Sequence, residues 1–190
     1  MAYYLAKTTS TEYVDITGAF PSDRLQFSAF TRIDIEYNLT QSTDIVGLLA
    51  RSNGSTQIGL RGDTTQVLIA GVGNISTPDL LLNTRQTLTI INNGSSSFTV
   101  QIDGITQDTV TSNFSFFFAS RIITNGNIDL YSYKVVNGAT VLVDYDPSAT
   151  SGTGTVLEDT SSGGNDGTLT NFNGTTNSWW VSYSSAITIT

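Results

Sequence analysis

The stretch TLTIINNGSSSFTVQIDG, residues 87–104, carries the local pattern that decides the fold. Apolar and polar residues largely alternate in Thr87–Ile91 and again in Phe98–Ile102, which is the two-residue period of a half-buried strand. The turn residues Asn92-Asn93-Gly94 separate the two runs, and Asp103-Gly104 closes the second. The stretch therefore predicts two antiparallel strands of a β-meander.

Short apolar runs separated by turn residues continue on both sides of this unit. In the longest run, Ile33, Ile35 and Tyr37 fall on one face and charged residues fall between them. Good helix formers are scarce, and Ser, Thr, Asn and Gly are abundant. The chain is predicted to be all-β, with about a dozen strands in one sandwich. The other strands are predicted within 13–16, 25–37, 44–50, 57–60, 66–70, 114–118, 128–136, 140–145 and 178–190.

Composition and charge bound the class of function. A chain of 190 residues fits one domain. It contains no histidine, which removes the usual general base and the commonest zinc ligand. With 16 acidic and 8 basic residues the net charge is −8, which repels a phosphate backbone. No apolar stretch approaches the roughly 18 residues of a membrane helix. We expect a soluble protein without a nucleic-acid or membrane partner.

The domain is predicted to have three parts. Residues 1–10 form an N-terminal arm, 11–145 the sandwich core, and 146–190 a Gly/Ser/Thr-rich corner with a C-terminal strand. The N-terminus lacks the basic and apolar regions of a secretory signal, and the chain has no cysteine for a disulfide. Synthesis in a cytoplasm is therefore expected.

Several of these runs, taken in order, carry a family resemblance. YVDI at 13–16, LQFSAFTRI at 25–33, LTI to FTVQIDG at 88–104 and NIDLYSY at 127–133 resemble the strands of a laminin G-like, concanavalin A-like domain. The match spans roughly residues 11–136. DTSSGGNDGTL at 159–169 is similar to a corner that ordinarily precedes those strands in the family. The resemblance thus implies a concanavalin A-like jelly-roll sandwich, circularly permuted relative to laminin G-like domains.

The C-terminal region from Asp144 through Phe172 also resembles short structural proteins of tailed bacteriophages. This resemblance implies a non-enzymatic capsid decoration or cement protein of a bacteriophage virion, made in the bacterial cytoplasm. It would act by protein-protein adhesion as a homo-oligomer, with a trimer favoured, on the major capsid protein or other virion proteins. A glycan-binding module of a phage receptor-binding or head-fibre protein is the alternative, with a host glycan as partner.

Aromatic residues are the candidates for an interface or a ligand site. If 178–190 is a strand, Trp179 and Trp180 point to opposite faces. Trp179 is then predicted to be in the core, and Trp180 to contact a partner or a sugar. Tyr131, Tyr3 and Tyr4 are further candidates. The terminal segments 1–10 and 178–190 are predicted to reach neighbouring subunits, because terminal strands can extend a partner's sheet.

Two clusters of acidic residues could have a chemical role, and the first could bind a metal ion. Asp159, Asn165 and Asp166 offer oxygen ligands to Ca²⁺, but their spacing differs from the EF-hand loop pattern, and a structural corner is the preferred interpretation. In that corner Gly163, Gly164 and Gly167 would adopt positive φ while Leu169 and Phe172 insert into the core.

Asp34 and Glu36 lie two residues apart on one strand face, as the carboxylates of a retaining glycosidase could. Arg32 stands where the motif of concanavalin-like glycosidases needs another glutamate. A solvated face with Arg32 paired to Asp34 or Glu36 is the preferred interpretation, so we predict that the chain is not an enzyme. No cofactor is predicted apart from the possible Ca²⁺.

Overall fold

The computed structural model describes residues 2–7, 11–17, 24–26, 29–40, 45–51, 53–94, 96–111, 115–117, 119–149, 152–172 and 179–183. Within these ranges the regular secondary structure is almost entirely β-strand, with a 3₁₀ turn at Pro147–Ala149. Every ladder between the named strands is antiparallel. The predicted all-β class is confirmed.

The first sheet has eight strands, and β14 lies at its centre. Along the sheet the order is β11-β10-β9-β4-β14-β1-β18, and β15 pairs with the second half of β14. The strands are β1 (Ala2–Lys7), β4 (Arg32–Leu39), β9 (Arg85–Gly94), β10 (Ser97–Ile102), β11 (Ile105–Thr111), β14 (Ile128–Asn137), β15 (Thr140–Tyr145) and β18 (Trp180–Tyr183).

The second sheet also has eight strands, in the order β16-β17-β2-β13-β5-β6-β7-β8. These are β2 (Tyr13–Asp15), β5 (Ile45–Arg51), β6 (Thr56–Arg61), β7 (Gln66–Ile69), β8 (Gly73–Ser76), β13 (Ala119–Ile122), β16 (Val156–Leu157) and β17 (Gly167–Thr170). A separate pair consists of β3 (Arg24–Gln26) and β12 (Ser115–Phe117).

One apolar core joins the inner faces of the two sheets. On β4 the buried residues are Ile33, Ile35, Tyr37 and Leu39, which alternate with charged or amide residues on the outer face. β10 alternates in the same way. The core cluster also contains apolar residues of β5, β6 and β7 from the second sheet. The sandwich thus follows from the two-residue period of the sequence.

The β9–β10 hairpin forms as predicted, with Ile90 opposite Val100. The predicted long strand 25–37 is instead divided between β3 and β4. Phe114 and Phe118 of the predicted strand 114–118 lie outside the described residues. The sequence interpretation missed the more polar or shorter strands β8, β11, β13, β16 and β17, whose alternation is weak.

The two chain ends differ from their predictions. Ala2–Lys7 is not a free arm, because β1 lies between β14 and β18 within the first sheet. The resemblance to the family corner predicts that the strand carrying Trp179 lies beside the strand that starts near Tyr13, but β18 pairs with β1. The neighbours of β2 are β13 and β17, and β17 belongs to the glycine-rich corner itself. The glycine-rich corner therefore lies beside β2, the strand that follows this corner in the family pattern.

The corner's own predictions are largely confirmed. Leu169 and Phe172 are buried. Gly167 has no room for a side chain, since a Cβ there would lie 2.5 Å from Cγ1 of Val14. Of the three predicted glycines, only Gly164 adopts positive φ. No helix within the described ranges is long and apolar enough to cross a membrane.

Candidate functional site

A cleft of about 350 Å³ opens at one end of the second sheet. Its walls come from the segments 11–13, 53–54 and 124–125, together with Arg121 and Asn171. These residues lie far apart in sequence and meet because β2, β13, β5 and β17 are neighbours in the sheet. Clefts of this size are where proteins ordinarily bind small ligands, so we treat it as the candidate site.

The loop between β13 and β14 forms one wall in a strained conformation. Ile123, Asn125 and Gly126 have φ values of 49°, 52° and 83°. Positive φ is unfavourable for a β-branched residue such as Ile123, and strain of this kind is concentrated at functional sites. Two backbone hydrogen bonds between Gly47 and Thr124, of 2.6 and 2.7 Å, hold the loop against β5.

Gly47 also leaves the space that Thr124 needs, because a Cβ at Gly47 would overlap the Thr124 hydroxyl. Thr124 is only 4% exposed, and its hydroxyl has no hydrogen-bond partner among the described residues. An unsatisfied buried hydroxyl costs on the order of 1–3 kcal/mol. The wall of the cleft thus contains a polar group whose hydrogen-bonding capacity is unused.

Lys7, on β1 of the first sheet, contacts the same loop. Its Nζ donates a 2.5 Å hydrogen bond to the carbonyl oxygen of Gly126. The side chain is only 1% exposed. Burial lowers the pKa of Lys7 to about 8, and the carboxylate of Glu12 opposes that shift. Glu12, itself buried, lines the cleft. A buried pair of opposite charges therefore underlies one side of the site.

Arg121 and Tyr13 form the other side. They project from the adjacent strands β13 and β2. The Arg121 guanidinium lies 3.9 Å from the centroid of the Tyr13 ring, a cation–π contact. Nη1 of Arg121 approaches the β5–β6 turn, 3.8 Å from the position of a Cβ on Gly54. The guanidinium is therefore held between an aromatic ring and a turn.

Three asparagines complete the lining. Asn53 accepts a hydrogen bond from the backbone N–H of Ser55, which leaves its amide N–H groups available. Asn171 donates to the carbonyl oxygen of Thr11, and Asn125 reaches the cleft from the strained loop. Amides and hydroxyls present both donors and acceptors, as recognition of a polyhydroxylated ligand requires.

The sequence interpretation did not identify this cleft. Its signal was weak: Asn53-Gly54 and Asn125-Gly126 mark turns, but nothing in the sequence brings those turns together. Of its residues, Arg121 and Glu12 could have been singled out only as charged residues in a chain with few of them.

Tyr4 and Tyr131, two of the predicted ligand residues, meet on the outer face of the first sheet. Their ring centroids are 4.9 Å apart, and the Arg85 guanidinium lies 4.1 Å from the Tyr131 centroid. Arg85 also pairs with Glu36 at 2.6 Å. Burial, with Asp129 nearby, raises the pKa of Tyr4. This patch is flat and internally paired.

Asp34 and Glu36 lie on that face, and both are paired. Arg32 Nε lies 2.7 Å from Oδ2 of Asp34, and the Thr89 hydroxyl donates to the same carboxylate. The preferred interpretation of Arg32 as the partner of Asp34 is confirmed.

The tryptophans are arranged opposite to the prediction. Trp180 is 6% exposed and belongs to the core, whereas Trp179 is partly buried. Both indole N–H groups donate to the carbonyl oxygen of Gly154. Trp180 pairs with Leu5, which also points inward, so the register fixes its orientation. Tyr3 packs against the core and Gly152. Trp180 is therefore part of the core, and Tyr3 is partly buried against it.

The proposed calcium ligands form a structural corner instead. The Asp159 carboxylate accepts backbone hydrogen bonds from Asp144, Ser161 and Asn165 and a fourth from the Ser161 hydroxyl. Asp166 accepts from the backbone N–H of Asp159. Burial raises the pKa of Asp159, but these hydrogen bonds outweigh it and hold that pKa below its usual value. Both Asp159 oxygens accept hydrogen bonds from the chain itself, which favours the structural corner over a calcium site.

Comparison with known proteins shows the fold. No protein-family model matches the chain, and no curated protein matches it. Among solved structures, a candidate carbohydrate-binding protein from Bacteroides ovatus is similar with a TM-score of 0.60 and 13% identity. The alignment covers 89% of this chain and 58% of that protein, so the chain spans little more than half of its length. At this identity the likeness supports a concanavalin A-like sandwich and nothing finer.

Two further solved structures match with lower TM-scores. Galectin LEC-6 from Caenorhabditis elegans has a TM-score of 0.42 and 15% identity, with 69% of this chain and 99% of the galectin covered. An alginate lyase from Corynebacterium sp. has a TM-score of 0.33 and 14% identity, with 77% and 57% covered.

The prediction that the chain is not an enzyme is contradicted by this set, because it includes enzymes. Missing histidine and paired Asp34 and Glu36 are therefore insufficient grounds to exclude catalysis.

Proposed function

We propose that this chain binds a saccharide in the cleft between β2, β13 and the β5–β6 turn. The observation that carries the proposal is the lining: Tyr13 offers a ring, and asparagine, threonine and arginine side chains surround it. Sugar rings stack on aromatic faces through their C–H groups, and their hydroxyls pair with amides and guanidinium groups.

Two further observations support the proposal. The Thr124 hydroxyl lacks a partner among the described residues, and the loop that carries it is strained. The similar Bacteroides structure is itself described as carbohydrate-binding, which agrees with the alternative function inferred from the sequence.

A glycan array followed by titration calorimetry tests the proposal. The wild-type protein should retain at least one saccharide, and Tyr13→Ala and Asn125→Ala should each weaken that binding by roughly tenfold, the loss of one good contact. Tyr131→Ala, on the first-sheet patch, is the matched control and should bind as the wild type does. Thermal unfolding establishes that each variant is folded. If no saccharide is retained, or if only Tyr131→Ala loses it, the cleft assignment fails.

The virion setting is a proposal that rests on the bacteriophage resemblance. In that setting the ligand would be a glycan of the host surface, and the capsid and oligomer contacts would be made elsewhere on the molecule. Co-sedimentation with purified capsids tests attachment, and the solution mass tests the proposed trimer.

A further inference from the structure

Arg121 differs from the two arginines of the first-sheet face in what surrounds it. Arg32 is paired with Asp34, and Arg85 with Glu36. Arg121 contacts the Tyr13 ring, but within the described part of the chain its guanidinium makes no ion pair and no hydrogen bond. A partly buried cation inside a cleft thus lacks an anion of its own.

The contact with Tyr13 leaves the chemistry of the guanidinium unused. A cation–π contact engages the face of the group, whereas its five N–H donors point outward in its plane. The 3.9 Å contact with the Tyr13 ring holds the guanidinium at one side of the cleft. Coplanar donors match the two oxygens of a carboxylate, which a guanidinium binds through two parallel hydrogen bonds.

Two acidic side chains lie near Arg121. Asp15 is its partner across the β2–β13 ladder, but no ion pair joins them within the described part of the chain, and Oδ1 of Asp15 accepts hydrogen bonds from the backbone N–H and the hydroxyl of Thr17. Glu12 also lines the cleft, but it interacts electrostatically with the buried ammonium of Lys7. Among the described lining residues, Arg121 is the cation that a negatively charged ligand could contact.

A neutral saccharide would be a poor match for this arrangement. It would cover Arg121 and remove water from the cation without supplying an opposite charge, which is costly. From these contacts, and resting on the proposed function, we infer that the cleft selects an acidic saccharide whose carboxylate pairs with Arg121.

The decisive experiment compares matched ligands. The probes are an oligosaccharide of glucuronic acid, its carboxyl-reduced neutral counterpart, and a sulfated derivative of that neutral counterpart. Calorimetry should show the wild type binding the carboxylated probe at least about tenfold more tightly than the neutral one, the value of one additional charge-assisted contact. The sulfated probe should fall between them, because its oxygens lack the planar geometry of a carboxylate.

Variants assign the preference to Arg121. Arg121→Gln should bind both probes equally, with the loss confined to the carboxylated one. Arg121→Lys keeps the charge but not the paired donors, so it should retain only part of the preference. Arg32→Gln, at an arginine on the other sheet, is the matched control and should preserve the full preference. Unfolding temperatures of all variants show whether each is folded.

The possible failures are distinguishable. Equal affinity of the wild type for the carboxylated and neutral probes overturns the inference and leaves saccharide binding standing. A preference for the sulfated probe also overturns it. An unchanged preference in folded Arg121→Gln removes Arg121 from the recognition. Absence of binding to any saccharide in the array refutes the proposed function itself, and the inference with it.

Discussion

Replacing Lys7 by methionine is expected to abolish a rise in stability that the wild-type protein shows between pH 7 and about pH 9.5. Lys7 is buried, and its burial lowers the pKa to about 8 from the ordinary 10.5. Above pH 8 the folded state therefore releases this proton while the unfolded state still binds it. Since the unfolded state then carries more protons, the free energy of unfolding increases with pH.

The magnitude follows from the two pKa values. Each unit of difference between the folded and unfolded states corresponds to about 1.4 kcal/mol, so the linked free energy is about 3 kcal/mol in total. About 2 kcal/mol of it should accumulate between pH 7 and 9.5. This pH window ends before the ordinary ionisation of tyrosine.

Urea unfolding at several pH values measures the effect. Burial raises the pKa of Tyr37, Tyr133 and Tyr145. Their unfolded-state ionisation therefore lowers stability as the pH approaches about 10. That loss is common to the wild type and Lys7→Met, so the difference between their curves isolates Lys7. Lys134→Met removes a lysine that is paired with Asp144 at the surface, and it should keep the wild-type pH dependence.

Parallel curves for the wild type and Lys7→Met would refute the reasoning. They would mean that the ammonium of Lys7 is not penalised in the folded state, and that its contact with the Gly126 carbonyl compensates for the lost water.

Two predictions concern the corner between β16 and β17. Asp159→Asn should destabilise the fold by about 1–3 kcal/mol at pH 7, because an amide cannot accept all four hydrogen bonds. Since the folded pKa of Asp159 is lowered, its contribution is lost as the pH falls through that value. The two unfolding curves should therefore converge in acid, and a constant gap would contradict this account. Gly167→Ala should cost about 1–3 kcal/mol in chemical unfolding, because its Cβ would lie 2.5 Å from Val14. Thr168→Ala, exposed on the same strand, should change stability by less than about 0.5 kcal/mol, and equal losses in both variants would refute the packing argument.

The fold was predictable where side chains alternate cleanly. Ile33, Ile35 and Tyr37 were expected on one face, and all three are buried. Leu169 and Phe172 were likewise predicted to be core residues, because large apolar side chains that follow a polar, glycine-rich turn are expected to be buried. Strand β11 carries mostly exposed polar residues and pairs along one edge, so its sequence has no apolar period to reveal it.

The Trp pair shows where such reasoning fails. The alternation of a strand predicts that adjacent side chains point to opposite faces of the sheet, but it does not determine which of the two points into the core. The pairing of Trp180 with Leu5 decides that, and it joins residues from opposite ends of the sequence. The sequence did not predict the cleft for the same reason. Tyr13, Asn53 and Arg121 become neighbours only through the order of strands in the second sheet.

The position of β1 between β14 and β18 has a consequence for how the chain folds. The strand partners of Ala2–Lys7 are Ile128–Leu130 and Trp180–Tyr183. During synthesis this segment therefore leaves the ribosome long before either partner exists. Closing such distant pairs costs loop entropy before any contact repays it, which slows folding. The unpaired β1 segment, with Tyr3, Tyr4 and Leu5, is thus exposed to aggregation for much of the synthesis.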